Sequence, residues 1–299
     1  MQYPKISIVT PNYNGGQFLE ETILSVIGQN YPNLEYIIID GGSTDNSVEI
    51  IKKYEKHLAY WVSEPDNGMY EAVKKGFDRS TGEIMAWINS DDKYHMGAFS
   101  IVAEVFSNFQ EISWITGVPT AFDELGRCVL VANSVLWSKY TFYLQKLSWI
   151  QQESTFWRRR LWDKVDVTEA FSLKLAGDFA LWMLFFRHEK IYSINALLGG
   201  FRYRKENQKT LDLMGSYLAE ARQFLEKEIS MLSVESKKHL QKIKICEKII
   251  NNTKRININS LKSYYFNLFE YPDRLIFDRY KHTFYRKKNT YFTEQIYDY

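Results

Sequence analysis

The stretch Leu34-Glu35-Tyr36-Ile37-Ile38-Ile39-Asp40-Gly41-Gly42-Ser43-Thr44-Asp45 is an apolar, largely β-branched run that stops at an acid and passes into glycine and small polar residues. Such a run reads as a strand and such an end as a turn. Working outward, residues 6–10, 59–63 and 84–88 repeat the strand pattern. Between them Phe18, Ile23, Leu24, Val26 and Ile27, then Val48, Ile50, Ile51 and Tyr54, then Met69, Tyr70, Val73 and Phe77 recur at near-helical spacing. Strands alternating with crossover helices predict an α/β chain with a mostly parallel central sheet covered by helices. From about residue 112 the regularity loosens into short strands, aromatic-rich connections and a helix expected over residues 178–188, the other half of the same domain.

Several strand ends are polar: Thr10-Pro11-Asn12-Tyr13-Asn14-Gly15-Gly16, Asp40-Gly41-Gly42-Ser43-Thr44-Asp45 and Asn89-Ser90-Asp91-Asp92. Open α/β sheets bind ligands outside the carboxyl ends of their strands, so these clusters mark the expected site. Asp91 and Asp92 repel each other and invite a cation; hard oxygen ligands with an open coordination sphere suit magnesium or manganese bound through substrate phosphates. A bland alternative makes either one the cap of a helix starting near His95. Asp40 is placed to accept hydrogen bonds from a nucleotide, while Ser43, Thr44 and Asp45 suit helix capping. The Gly15-Gly16 turn lacks the Lys-Ser/Thr of a P-loop and the spacing of a dinucleotide fingerprint.

With 299 residues, 45% hydrophobic and 25% charged, the chain has globular composition and can bury a sizeable core. Its longest apolar runs fall far short of the roughly 18 residues that cross a bilayer, and it opens directly on a strand pattern, so a cytoplasmic protein is expected. Cys128 and Cys246 are too few for a disulfide framework or zinc cluster and are expected to be small buried side chains. The net charge of +2 conceals an asymmetry: residues 205–299 carry 18 basic against 12 acidic side chains, and residues 1–204 carry 20 against 24. In the tail, Leu218, Ala221, Leu225, Ile229 and Leu232, then Leu240, Ile243, Cys246 and Ile250, predict two amphipathic helices, followed by a segment rich in Tyr, Phe, Lys and Arg. A tail of this kind suits packing on the catalytic part, pairing with a second copy, or peripheral attachment to the anionic inner face of a membrane.

Four segments in order carry a resemblance: Ser7-Ile8-Val9-Thr10-Pro11-Asn12-Tyr13-Asn14, Ile39-Asp40-Gly41-Gly42-Ser43-Thr44-Asp45-Asn46-Ser47, Glu64-Pro65-Asp66-Asn67-Gly68-Met69-Tyr70-Glu71-Ala72 and Asn89-Ser90-Asp91-Asp92. Together they resemble glycosyltransferase family 2, inverting nucleotide-sugar enzymes of GT-A fold. The likeness continues more loosely through residues 151–159, 177–182 and 201–204. It implies a Rossmann-like GT-A catalytic domain over residues 1–204, with a nucleotide half to about residue 110 and an acceptor half beyond it, and a helical extension over 205–299.

By the same resemblance Thr10, Pro11, Asn14 and Asp40 form the nucleotide pocket, Asp66 and Asn67 lie near the base, and Lys75 meets a phosphate. Asn89, Asp91, Arg202 and Arg204 hold the sugar-nucleotide diphosphate, Asp92 and Asp91 hold manganese or magnesium, and Asp178 is the catalytic base. Gln152 and Trp157 are the acceptor contacts; the aromatic residues Trp149, Phe156, Trp157 and Trp162 suit stacking on acceptor sugar faces, with core or interface packing the preferred alternative for them. Relatives often carry an acid where this chain has Gly177, and a His where Arg204 stands, so the diphosphate contact of that His falls to Arg204, whose fork binds phosphate bidentately. The implied reaction moves one sugar from a nucleotide donor, UDP-linked first of all, to a saccharide or lipid-linked acceptor; no nucleic acid partner is expected. The other readings are a sugar nucleotidyltransferase, whose signature Gly-rich loop is missing, and a non-catalytic nucleotide-binding or scaffolding module.

Overall fold

The computed structural model describes residues 3–205, 213–252 and 259–290. Strands and helices alternate through the first part as β1 (Ile6–Asn12), α1 (Gly16–Ile27), β2 (Leu34–Asp40), α2 (Ser47–Tyr54), β3 (Tyr60–Ser63), α3 (Met69–Arg79) and β4 (Ile84–Trp87). Next come β5 (Lys93–Tyr94), α4 (Ala98–Asn108), β6 (Trp114–Thr116), β7 (Thr120–Phe122), β8 (Cys128–Val131) and α5 (Lys139–Tyr143). Then β9 (Thr155–Arg158), α6 (Arg159–Trp162), α7 (Val167–Phe171), α8 (Gly177–Phe186), β10 (Tyr192–Ser193) and β11 (Gly199–Arg202) complete the catalytic part. The main sheet has the order β10-β6-β9-β4-β1-β2-β3, with β9 alone antiparallel to its neighbours. A smaller sheet, β5-β11-β7-β8, stands beside the mouth of the first.

Every residue of β1 is buried, as a central strand covered on both faces requires. Helix α3 comes close enough to β1 that a Cβ on Gly76 would lie 2.4 Å from Val9 Cγ1, so glycine there sets the helix-to-sheet distance. Under the sheet Trp87, Trp114, Trp157 and Trp182 form an aromatic core; Trp157 lies 5.6 Å from both Trp87 and Phe77 and has no exposed surface. Trp157 is therefore core and not an acceptor contact: its ring is consumed by edge-to-face packing with its neighbours. Trp149, by contrast, is 46% exposed.

The tail packs on this body. Helix Met214–Met231 buries Tyr217, Ala221, Phe224, Leu225 and Glu228, and the following helix Val234–Asn252 buries Leu240, Ile243 and Cys246. The helical spacing read from the sequence holds, but the buried stripe is rotated toward Tyr217, Phe224 and Glu228. A hairpin, Arg274–Asp278 with Thr283–Lys287, places Leu275 and Phe284 in the same apolar core, and Leu275 bridges to Ile194. Much of the tail's apolar surface is thus used in packing. Cys246 is buried as expected, whereas Cys128 is exposed on the edge strand β8. No helix among the described residues is long and apolar enough to cross a membrane.

Candidate active site

The carboxyl ends of β1, β2, β3 and β4 meet at one mouth. Asp40 ends β2, and its Oδ1 accepts from Asn12 Nδ2 at 2.6 Å and Ser43 Oγ at 2.5 Å, while Oδ2 accepts from the Ser43 amide at 3.0 Å and Ser63 Oγ at 2.5 Å. That fills the roughly four lone-pair sites of a carboxylate. Asp40 therefore fastens three strand ends together. Asn14, at φ +50°, receives through Oδ1 the Thr44 amide at 2.9 Å and gives its own amide to Ser43 Oγ at 2.8 Å. Asp45 accepts from the Gly16 and Ser47 amides at 2.9 and 3.0 Å, tying the starts of α1 and α2 to one carboxylate. The Thr10 hydroxyl is buried against Tyr36 Oη at 3.1 Å, and Pro11 is buried beside it.

The opposite wall is the turn after β3. Asp66 lies against Gly41: a Cβ there would stand 2.9 Å from Asp66 Oδ2. Asn67 is exposed and tied to Glu71 through its side chain at 2.7 Å, and Lys75 pairs with Glu64 at 2.6 Å near the surface. These three sit on one edge of the mouth, open to solvent or a ligand.

The floor is the loop after β4. Asp92 is fully buried; its Oδ1 takes the Arg202 amide at 2.7 Å and its Oδ2 takes Asn89 Nδ2 at 3.1 Å. Asp91 is partly open, with its Oδ2 3.0 Å from Arg204 Nη2. Neither acid caps the next helix, which starts after Gly97. Arg202 has no exposed surface: Nε donates to the Asp91 carbonyl at 2.6 Å, Nη1 to the Asp123 carbonyl at 2.9 Å, and Nη2 meets Glu21 at 2.6 Å. Arg202 builds the acidic loop from behind, and Arg204 is the arginine that reaches the mouth.

Deeper in, Gln152 donates to the Trp87 carbonyl at 2.6 Å, so its amide holds the end of β4 in a buried position. Beside it Glu153 is buried and hydrogen-bonded to Asp92, and it feels the charges of both Asp178 and Asp91. Asp178 lies in the first turn of α8; Tyr217 Oη donates to its Oδ1 at 3.0 Å, and Tyr70 Oη stands 3.3 Å from the same oxygen with its one proton also within reach of the Leu175 carbonyl at 2.8 Å. Among the described residues no other side chain hydrogen-bonds to Asp178. The absence of a side chain at Gly177 has a steric reason: a Cβ would stand 2.8 Å from the Tyr70 ring. Tyr70 thus occupies the space that the relatives' extra acid would need.

Burial raises the pKa of Asp178, opposed by the Phe179 amide and the two tyrosines. Burial also raises Asp91, against the pull of Arg204, and Asp92, with the charges of Asp91 and Glu153 adding to it; Glu153 is pushed up to about 7 by burial. A raised carboxylate keeps its proton in the folded chain after the unfolded chain has lost it. The stability so gained is present below the unfolded Glu value of 4.5 and is lost as pH rises through about 7. Without divalent cation the melting temperature is expected to fall across that window, and Glu153→Gln to flatten the fall. A wild-type melting temperature that stays level from pH 4.5 to 8 would contradict this coupling.

Glu153, Tyr70 and Tyr217 border the candidate site and were not singled out from the sequence. Glu153 lies inside the 151–159 segment among the polar Gln151, Gln152, Ser154 and Thr155, where nothing in the sequence set it apart. Tyr70 reads as helix core and Tyr217 as one of many tail aromatics.

The family model described as Glycosyl transferase family 2 matches residues 7–165. The chain belongs to glycosyltransferase family 2. A Bacillus subtilis (strain 168) glycosyltransferase named for teichuronic acid biosynthesis, TuaG, is 38% identical over 96 residues, which are 30% of this chain and 37% of TuaG. A Rickettsia conorii glycosyltransferase, RC0461, matches at 25% identity over 83% of this chain and 43% of its own length. The chain spans little more than a third of the length of TuaG and of the Mycobacterium tuberculosis relatives Rv1514c and MT1564. Among solved structures, Staphylococcus aureus TarS residues 1–349 in complex with UDP-GlcNAc superimposes with a TM-score of 0.59 at 17% identity, over 79% of this chain and 70% of TarS 1–349. Glucosyl-3-phosphoglycerate synthase from M. tuberculosis in complex with Mn2+, UDP and phosphoglyceric acid gives 0.52 at 18% identity, over 77% of this chain and 80% of that one. The family 2 chain therefore has the GT-A fold, with its candidate site at the strand ends where that fold's sheet opens.

Proposed function

We propose that this chain is a cation-dependent inverting glycosyltransferase that moves one sugar from a nucleotide-sugar, UDP-linked first of all, onto a saccharide or lipid-linked saccharide. The observation that carries the reading is the pairing, at one mouth, of an oxygen-rich acidic loop with a separate buried carboxylate, Asp178, held at Oδ1 by the Tyr217 hydroxyl with the Tyr70 hydroxyl beside it. The first suits a diphosphate and its cation; the second suits an acceptor hydroxyl. UDP in both structural neighbours and Mn2+ in one of them support the donor and cation classes.

The residues fit a hard divalent ion. The donor set is all oxygen, Asp91 is partly open, and Asn89 Oδ1 is buried with no hydrogen-bond partner. A hard ion of this kind keeps coordination positions for substrate phosphates. Asp91 would be the principal ligand, and Asp92, whose oxygens hold Arg202 and Asn89, its support. When bound, the ion supplies positive charge to the departing diphosphate.

The chain's own residues do the rest. Arg204 is placed to exchange Asp91 for a phosphate oxygen, and the 66–67 turn faces the base. Trp149 offers a face for an acceptor sugar. Asp178 accepts the proton of the attacking hydroxyl as its oxygen bonds to the anomeric carbon and the carbon–diphosphate bond breaks, which inverts the configuration. Exposed Tyr280 beside Arg279 and Lys281 would suit an acceptor presented at an anionic inner-leaflet surface. A panel of UDP-, GDP- and dTDP-sugars, scored for nucleoside diphosphate release with manganese and with chelator, is expected to give release from one donor or a few, with manganese only. Release from none, or release indifferent to chelator, would overturn the proposal.

A further inference from the structure

Tail helix Met214–Met231 does more than cover the catalytic part. Tyr217 and Glu220 are three residues apart and so share one helix face. Tyr217 Oη donates to Asp178 Oδ1 at 3.0 Å, and its ring lies 4.8 Å from that of Trp149. Glu220 Oε2 accepts the amides of Leu175 and Ala176 at 2.9 and 3.0 Å. Those amides precede α8, where backbone donors have no partner within the helix, and no side chain of α8's own cap supplies one. At the far end of α8, Glu228 of the same tail helix holds Arg187, with Arg187 Nε at 3.0 Å. The tail helix therefore grips α8 at both ends, and the gripped first turn carries Asp178.

We propose that Tyr217 and Glu220 are positioning residues of the reaction, so that residues C-terminal to the family 2 match complete the acceptor side of the site. The inference rests on the reading of Asp178 as the base. Tyr217 fixes Oδ1 and stabilises the charged carboxylate, and Glu220 fixes the turn on which that carboxylate sits. The groups facing Asp178 are Tyr70 from α3, Tyr217 from the tail helix and Glu153 from the turn before β9, with Glu220 on the preceding amides.

The test uses the full chain labelled with 13Cγ-aspartate, the Asp178 resonance being assigned by its loss in Asp178→Asn, together with turnover on whichever donor the panel selects. In Tyr217→Phe the Asp178 titration is expected to move up by about one pH unit, because the charged form loses a hydrogen bond. The acid limb of kcat should move with it, kcat should fall about tenfold, and donor KM should stay within twofold. Glu220→Gln keeps an acceptor for the amides and is expected to retain most of kcat, whereas Glu220→Ala is not. Leu225→Ala, on the same helix without a contact to Asp178, lowers the melting temperature without moving the titration. A Tyr217→Phe chain with an unchanged titration and unchanged kcat would overturn the inference while leaving Asp178 as the base. Turnover retained in Asp178→Asn would overturn both.

Discussion

Asp178→Asn is expected to lower turnover by about 10²–10⁴-fold, the usual worth of a positioned general base, with donor affinity changed less than twofold. The amide keeps the size of the side chain and one oxygen for Tyr70 and Tyr217, so the tyrosine contacts that hold the first turn of α8 persist. What disappears is the ability to take a proton. Because burial raises the pKa of Asp178, the wild-type rate should climb with pH through a value above the ordinary aspartate range and level off once the carboxylate is ionised. Steady-state kcat and donor KM, measured against pH for both chains, check this. A fall in donor affinity as large as the fall in turnover would make Asp178 a donor ligand instead.

Asp91→Asn is expected to remove cation-dependent transfer by on the order of 10³-fold, since several kcal/mol of charge stabilisation on a leaving diphosphate convert to that factor. The variant should fold, because Asp91 is partly open and its side chain has an ion pair with Arg204 while its backbone carbonyl still receives Arg202. The geometry gives Asp91 the open position, while Asp92 sits fully buried with both oxygens engaged inside the loop. Substituting Asp92 is therefore expected to lower stability as well as activity, which a melting curve recorded beside the rate would separate. Turnover of Asp91→Asn within tenfold of wild type would dismiss the acidic loop as the cation's seat.

The first half of the fold was legible because each strand and helix in it obeys a local rule: β-branched runs cut off by Asp, Gly or Asn, and apolar residues at helical spacing between them. The β4 end with Asp91 and Asp92, and Asp178 in the first turn of a helix, were legible for the same reason, since motif and element boundary coincide. Other contacts were not legible, for a different reason. Asp40, Arg202, Trp157 and Gln152 are residues of functional type that the fold uses as fasteners or core, and only long-range contacts reveal it: Asp40 to Ser63, Arg202 to Glu21, Trp157 to Phe77, Gln152 to Trp87. Tyr217 was missed for the converse reason, because its partner is 39 residues away in the chain and a tyrosine on an amphipathic helix looks like packing.

The central claim, a nucleotide site completed by a cation at Asp91, is tested most directly by calorimetric titration of UDP into wild-type and Asp91→Asn chains, each with and without manganese. Manganese is expected to tighten UDP binding to the wild type at least about tenfold, a gain of roughly 1.4 kcal/mol, and to leave Asp91→Asn unchanged. UDP that binds equally well to the wild type with and without manganese, or does not bind at all, would contradict it.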